Sequence, residues 1–219
     1  MTARHATSLI LLLALTAVAT PVQTTEDLPR AEPDAVGLSA ERLARLTDAM
    51  QGYVDDSQLA GGVVLVARRG RVAYLNAFGQ RDLASGAAMG EDAMFRIASQ
   101  TKAIVSTAVM LLQEEGKLLI SDPVGRYLPE FASTQVAVAR TDGGYDVVDA
   151  RARVTIRHLL THTSGVSYGN GPASDLWEAA GIQGWYFADR DEPVGDTIAR
   201  VAGLPFDAHP GEQWIYGYN

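Results

Sequence analysis

Met94-Phe95-Arg96-Ile97-Ala98-Ser99-Gln100-Thr101-Lys102, running on into Ala103-Ile104-Val105-Ser106-Thr107-Ala108-Val109-Met110-Leu111-Leu112, is the stretch on which the reading of this chain turns. Ser99 stands three residues before Lys102, and Lys102 is one of only two lysines against sixteen arginines. Guanidinium stays protonated at any ordinary pH, whereas an ammonium gives up its proton when desolvated and can serve as a base. Val105, Ala108, Val109 and Leu112 recur at i, i+3, i+4 and i+7, which predicts a helix from about Gln100 to Glu115, closed by Gly116. Ile104, Met110 and Leu111 make its remaining sides apolar as well, so the helix is expected to be central and buried. Ser99 would then sit at a helix N-terminus, where free N–H groups and the helix dipole favour developing negative charge. On such a helix Ser99 and Lys102 share one face, and burial against Ile104 and Val105 would lower the lysine pKa. An N-cap serine followed by a snorkelling surface lysine would produce the same spacing.

Upstream, Ser8 to Ala19 forms an apolar run behind Arg4 and His5, too short to span a bilayer and closed by Ala17-Val18-Ala19. This predicts a secretory leader over residues 1–19, a linker over 20–37 and a domain over 38–219. With a leader of this kind the protein is expected to be periplasmic or secreted, with no stable membrane anchor once the leader is removed. The absence of cysteine excludes a disulfide framework, so stability must come from core burial. A formal charge of −8, spread without long runs of either sign, argues against a nucleic-acid partner.

Ser39 is suited to cap a helix in which Leu43, Leu46, Met50 and Tyr53 recur at helical spacing. Val63 to Arg68 and Arg71 to Gly79 read as two strands joined at Arg69-Gly70. Further on, Val136-Ala137-Val138 and Tyr145 to Val148 suggest a second hairpin across Thr141-Asp142-Gly143-Gly144. A short helix is expected from Ile156 to His162, and helical pieces near Leu176 and between Thr197 and Ala202.

Four segments occur in order: Met94 to Lys102; Asp122-Pro123-Val124-Gly125-Arg126-Tyr127-Leu128-Pro129-Glu130-Phe131; Thr155-Ile156-Arg157-His158-Leu159-Leu160-Thr161-His162-Thr163-Ser164-Gly165; and Pro210-Gly211-Glu212-Gln213-Trp214-Ile215-Tyr216. Together they resemble the β-lactamase-related serine hydrolases, which include class C β-lactamases, D-alanyl-D-alanine carboxypeptidases and family VIII-type esterases. The resemblance runs from about Leu38 to the last residue. It implies an α/β (α+β) fold of the β-lactamase/transpeptidase type, an antiparallel sheet flanked by helices beside a mostly helical lobe. It also implies that Ser99 is acylated, that Lys102 is its partner and that Tyr216 relays the proton. A tyrosine beside an ammonium is reasonable as a base, since positive charge lowers a phenol pKa; the alternative reading of Tyr216 is a core aromatic following Trp214.

Two departures from the family pattern shape the functional expectation. Tyr-Ser-Asn is replaced by Tyr216-Gly217-Tyr218, with Asn219 one place late, which tilts the expectation from β-lactam or peptide cleavage towards ester hydrolysis. The family's Lys-Thr-Gly or His-x-Gly strand motif is not found, so the sequence resembles the N-terminal portion of an enzyme. A non-catalytic or vestigial module is the competing reading. The expected partner is a small ester, amide or β-lactam-like substrate, with no cofactor and no metal.

Trp185 and Tyr218 are the aromatic candidates for substrate contact. Trp177, Trp185, Tyr186 and Phe187 could equally wall an acyl pocket or fill the core of a helical subdomain. Gly165-Val166-Ser167-Tyr168-Gly169 spells the nucleophile elbow of α/β-hydrolases, but an elbow needs a strand before its serine, and here a helix precedes it. His158 and His162 have the four-residue spacing of zinc ligands, yet Leu159 occupies the place of the catalytic glutamate, which favours packing duties.

Overall fold

The structure, a computed structural model, describes residues 28–184 and 191–219. The expected leader and the stretch containing Trp185, Tyr186 and Phe187 lie outside the described residues. The chain divides into two compact units, one ending at Arg96 and one beginning at Ile97.

In the first unit, helix α1 spans Ala40–Asp55 and starts where its cap residue dictates: the Ser39 side chain accepts the N–H of Arg42 at 3.3 Å. Strand β1 (Gly61–Arg68) runs antiparallel to β2 (Arg71–Asp82), from Gly61 opposite Gly79 to Arg68 opposite Arg71, with the register shifting at a bulge between Val66 and Ala67. The connection is the two-residue loop Arg69-Gly70, and both residues have positive φ, 55° and 69°. That backbone twist matches the twist of the flanking strands, which is why two-residue hairpins favour it. A short β3 (Ala87–Ala88) adds a third strand beside β2, one that its length left unreadable in sequence. The stretch Pro29–Gly37, expected as linker, is instead packed: Val72 donates to the Pro29 carbonyl at 2.9 Å, Ala31 to the Val72 carbonyl at 3.0 Å, and Val36 is buried. Unpaired strand edges attract backbone partners, and β2 offers one here.

The second unit opens with a 3₁₀ turn, Ala98–Gln100, that feeds α2 (Thr101–Glu114). Asp122 and Pro123 end the following loop, and Val124 donates to Val154 at 2.9 Å. Strands β4 (Gln135–Ala139) and β5 (Tyr145–Asp149) form the expected antiparallel hairpin. Phe206 pairs with the other edge of β4, donating to Gln135 and accepting from Ala137, each at 2.8 Å. Three short helices complete the unit: α3 (Ile156–Leu160), α4 (Ser174–Ala179) and α5 (Val194–Ala202). Its core gathers Val124, Phe131, Val154, Val166, Trp177 and Phe206. Trp177 is fully buried and its indole N–H donates to the Pro205 carbonyl at 2.9 Å, which settles this tryptophan as core.

Two expectations are corrected. None of the residues of α2 is buried; Ile104 and Val105 are 63% and 54% exposed. The core forms around Trp177 and Phe206 and takes no member from α2, because burial is decided by what covers a helix rather than by its own apolarity. Ile104 and Val105, expected to pack over Lys102, are instead exposed. The second correction concerns α3, which stops at Leu160; His162 adopts φ 55°. The two histidines consequently do not share a helical face, and the zinc-ligand spacing has no structural counterpart.

Candidate active site

Ser99 is placed by an unusual residue before it. Ala98 has φ 44°, a left-handed conformation that a β-carbon makes costly by about 1–2 kcal/mol. That turn presents Ser99 just ahead of α2, and one helical turn on, the Lys102 Nζ donates to the Ser99 Oγ at 3.4 Å. The same ammonium lies 4.8 Å from the centre of the Tyr216 ring. The spacing read from the sequence therefore corresponds to side chains that meet, and Tyr216 joins them from more than a hundred residues away.

The phenol of Tyr216 sits within a web of donors. A hydrogen bond from Ser99 is the largest influence holding its pKa below the ordinary 10.0, opposed by partial desolvation and reinforced by the Lys102 charge and by hydrogen bonds from Lys102 and Tyr168. The hydrogen bonds and the Lys102 charge favour the phenolate, and they outweigh the desolvation. The direction of the bonds is informative: Lys102 donates to Ser99, so the serine proton is free to point at Tyr216. Tyr216 is 39% exposed.

Aromatic rings fix the Tyr216 plane. His162 lies 4.7 Å from it, tilted by 37°; Trp214 is stacked at 6.2 Å; Tyr168 meets it edge-on at 5.9 Å. Tyr168 escaped the sequence reading altogether, since it stands inside the glycine-serine motif and nothing in its spacing points to residue 216.

Two glycines let the loop of Tyr168 lie against the segment 208–217 that carries Tyr216. A β-carbon on Gly165, whose φ is 89°, would fall 2.0 Å from the Ala208 carbonyl oxygen. A β-carbon on Gly217 would fall 2.6 Å from Ser167 Cα and from the Val166 oxygen. The replacement of the family serine after the tyrosine therefore has a steric cause: residue 217 lies directly against backbone.

Asn219 is engaged internally. Its Nδ2 donates to the carbonyls of Val166 and Ile215 at 3.0 and 3.1 Å, and its Oδ1 accepts from the buried Ser164 hydroxyl. This amide ties the 164–166 loop to the tyrosine segment. Tyr218, expected at the substrate, has its ring against Trp177, 6.4 Å away and nearly parallel, with its hydroxyl donating to the Gly184 carbonyl at 2.6 Å. Burial, with the Tyr168 charge second, pushes its pKa up to about 12.

Ser167 is 2% exposed; its Oγ accepts the Gly169 N–H at 3.0 Å and its hydroxyl donates to Asp207. A serine so enclosed cannot meet a substrate, which removes the elbow reading. His158 is likewise occupied: its Nδ1 accepts the Thr155 N–H at 3.3 Å while Thr155 Oγ1 accepts the His158 N–H at 3.2 Å, a reciprocal cap on α3.

Comparison with known proteins agrees with this geometry. The sequence profile of the Beta-lactamase family matches residues 46–217. The chain belongs to the β-lactamase family. It is 37% identical over 188 residues to esterase EstB of Burkholderia gladioli, covering 84% of this chain and 45% of that relative. It is 30% identical over 172 residues to lovastatin esterase of Penicillium rubens, covering 76% and 42%. Among solved structures it is similar to EstCE1, described as a hydrolase with promiscuous acyltransferase activity, with a TM-score of 0.64, 31% identity and coverage of 80% of this chain and 43% of that one. The fold is thus of the β-lactamase/transpeptidase type, and the chain spans under half the length of these relatives.

Proposed function

We propose that this chain carries the nucleophile and proton relay of an exported serine hydrolase that cleaves small esters through an acyl-serine intermediate. The observation that carries the reading is the convergence of Ser99, Lys102 and Tyr216, with the lysine donating to the serine and the tyrosine held towards its phenolate.

In the proposed sequence, the Ser99 Oγ attacks the ester carbonyl carbon as its proton passes to the Tyr216 oxygen. Lys102, beside both groups, stabilises the phenolate beforehand and donates to the serine oxygen during attack. The tetrahedral oxyanion collapses, the ester C–O bond breaks, and the departing alkoxide takes the proton from Tyr216. Water then adds to the acyl-serine, giving its proton to Tyr216, and the second collapse returns that proton to Ser99 and releases the acid. In the same proposal the N–H of Ser99, at the entrance to α2, supplies one donor to the oxyanion. Esters are favoured over lactams and peptides because Asn219 is occupied by the loop and Gly217 brings no hydroxyl, so the amide-recognising pair of the lactamase pattern is lacking. Similarity to two esterases supports the same choice. Export to the periplasm or beyond is supported by the sequence of residues 1–19.

The test is covalent labelling of the full-length protein with a fluorophosphonate, followed by peptide mapping. The adduct is expected on Ser99 and is expected to vanish in Ser99→Ala. An adduct on Ser167 or any other residue overturns the assignment.

A further inference from the structure

His162 bears two local costs that nothing in its own loop repays. Its backbone φ of 55° lies in the left-handed region, which is uncommon for any residue but glycine. Its Nδ1 is buried with no hydrogen-bond partner, although buried polar atoms are nearly always paired. A glycine or asparagine could end α3 at this point without either cost. Unfavourable conformations persist where the surroundings demand them, and they gather at active sites.

The surroundings here lead to Tyr216. The His162 carbonyl accepts the N–H of Ile215 at 2.8 Å, fixing the residue that precedes the tyrosine. The imidazole ring lies 4.7 Å from the phenol ring and 5.9 Å from Trp214, which it meets edge-on. Backbone and side chain of one residue thus grip the same short segment, and the left-handed turn is what allows both at once.

We propose that His162 is a positioning residue for the serine–lysine–tyrosine group: its carbonyl fixes Ile215 and its ring holds the phenol of Tyr216 so that the hydroxyl meets Ser99 and Lys102. This rests on the reading of Tyr216 as the proton acceptor. The ionisable groups facing the imidazole are Lys102 of α2 and Tyr216 itself, and Tyr168 faces the phenol from the neighbouring loop. Burial first, and then the Lys102 charge, hold the imidazole below its ordinary pKa, so the ring is neutral at neutral pH. An imidazolium at this place would set a second positive charge beside Lys102 and drive the ring towards solvent.

The experiment uses the full-length protein with His162→Asn, which tolerates a left-handed backbone but removes the ring, and His162→Phe, which keeps a ring that cannot titrate. Tyr216→Phe is the reference. Three quantities are read: the acylation burst with a p-nitrophenyl ester against pH, the ultraviolet titration of Tyr216 as a difference from Tyr216→Phe, and the melting temperature. In His162→Asn acylation is expected to fall about 100-fold, the scale of a 1 Å misplacement, and the Tyr216 titration to move up towards an ordinary phenol. In His162→Phe acylation is expected to recover to within about tenfold, and the loss of rate due to imidazole protonation at low pH to disappear. An unchanged titration and burst in folded His162→Asn overturns the proposal, as does a loss that merely follows the melting curve. Full activity in Tyr216→Phe would instead defeat the proton-acceptor reading on which the proposal rests.

Discussion

Gly217→Ala tests whether the close approach behind Tyr216 is a requirement of the site. The added β-carbon would stand 2.6 Å from Ser167 Cα, from the Ser167 carbonyl carbon and from the Val166 oxygen. Ordinary carbon contacts are about 3.5–4.0 Å, so the two segments must part by roughly 1 Å. All three obstacles are backbone atoms, and Asn219 staples the same loop through Val166 and Ser164, so no side chain can swing aside to absorb the shift. Overpacking of this kind costs about 1–3 kcal/mol, and the rigidity of the obstacles places this case near the upper end. At about 2–4 °C per kcal/mol for a chain of this size, the melting temperature should fall by roughly 6–10 °C. A displacement of about 1 Å at Tyr216 should also reduce acylation about 100-fold in the protein that remains folded. Thermal melting by circular dichroism and a p-nitrophenyl ester burst measure the two effects separately. Gly217→Ser restores the Tyr-Ser pair of the lactamase pattern and is expected to fail in the same way. A Gly217→Ala protein with unchanged melting and unchanged acylation would refute the steric argument.

Two further outcomes follow from the ionisable groups. Because Ser99, Lys102 and Tyr168 hold Tyr216 towards its phenolate, kcat/KM should rise with pH until Tyr216 has lost its proton, at a pH below the ordinary phenol value of 10.0; Tyr216→Phe should remove that limb and lower the rate by about 10²–10⁴-fold, read from pH–rate profiles of both proteins. Burial raises the pKa of Asp207 above the ordinary 3.8, against the Ser167 hydrogen bond, and one of its oxygens is buried without a partner. The folded state therefore holds this proton more tightly than the unfolded state, and the group's contribution to stability is present below about pH 4 and is lost as pH rises through the folded pKa. Asp207→Asn should accordingly melt higher than the parent at neutral pH, with the difference closing as the pH is lowered to about 4; a difference independent of pH would contradict this.

What could be read in the sequence was what neighbours in sequence decide. The Ser39 cap, the Arg69-Gly70 turn and the start and stop of α2 depend on residues within a few positions, and the structure places them as read. Ser99 and Lys102 were legible for the same reason, since three residues of helix bring them to one face. The burial of α2 was not legible, because an apolar helix declares only that it needs a cover, not which residues supply it. The end of α3 was misread because Thr161 and His162 are compatible with helix, and the left-handed turn at His162 is imposed by contacts with residues 211–216 that lie far along the chain. Tyr216 entered through family resemblance alone, and Tyr168 did not enter at all.

The glycine-serine motif shows why a pattern needs its structural setting. Gly165 and Gly169 both take positive φ, as the elbow pattern would allow. Here, however, the glycines serve packing: Gly165 clears the Ala208 carbonyl and Gly169 clears Trp177, and the serine between them turns inward to Asp207. The residue that reaches the chemistry is the next one, Tyr168, whose hydroxyl meets that of Tyr216. A motif usually read for its nucleophile thus supplies a hydrogen bond to Tyr216.

Left-handed backbone at residues other than glycine occurs at four described positions, Ser57, Arg69, Ala98 and His162. Arg69 is required by its hairpin, and Ser57 follows the end of α1. The other two adjoin the proposed site: Ala98 immediately precedes Ser99, and His162 lies against Tyr216. Each costs about 1–2 kcal/mol that local sequence could have avoided. Such costs are sustainable only if folding repays them, through the hydrogen bonds of Ile215 and Gly211 to the 162–163 carbonyls and through the core beneath the 164–169 loop. On the proposed function, a relay whose side chains already meet without substrate would need little binding energy for its assembly.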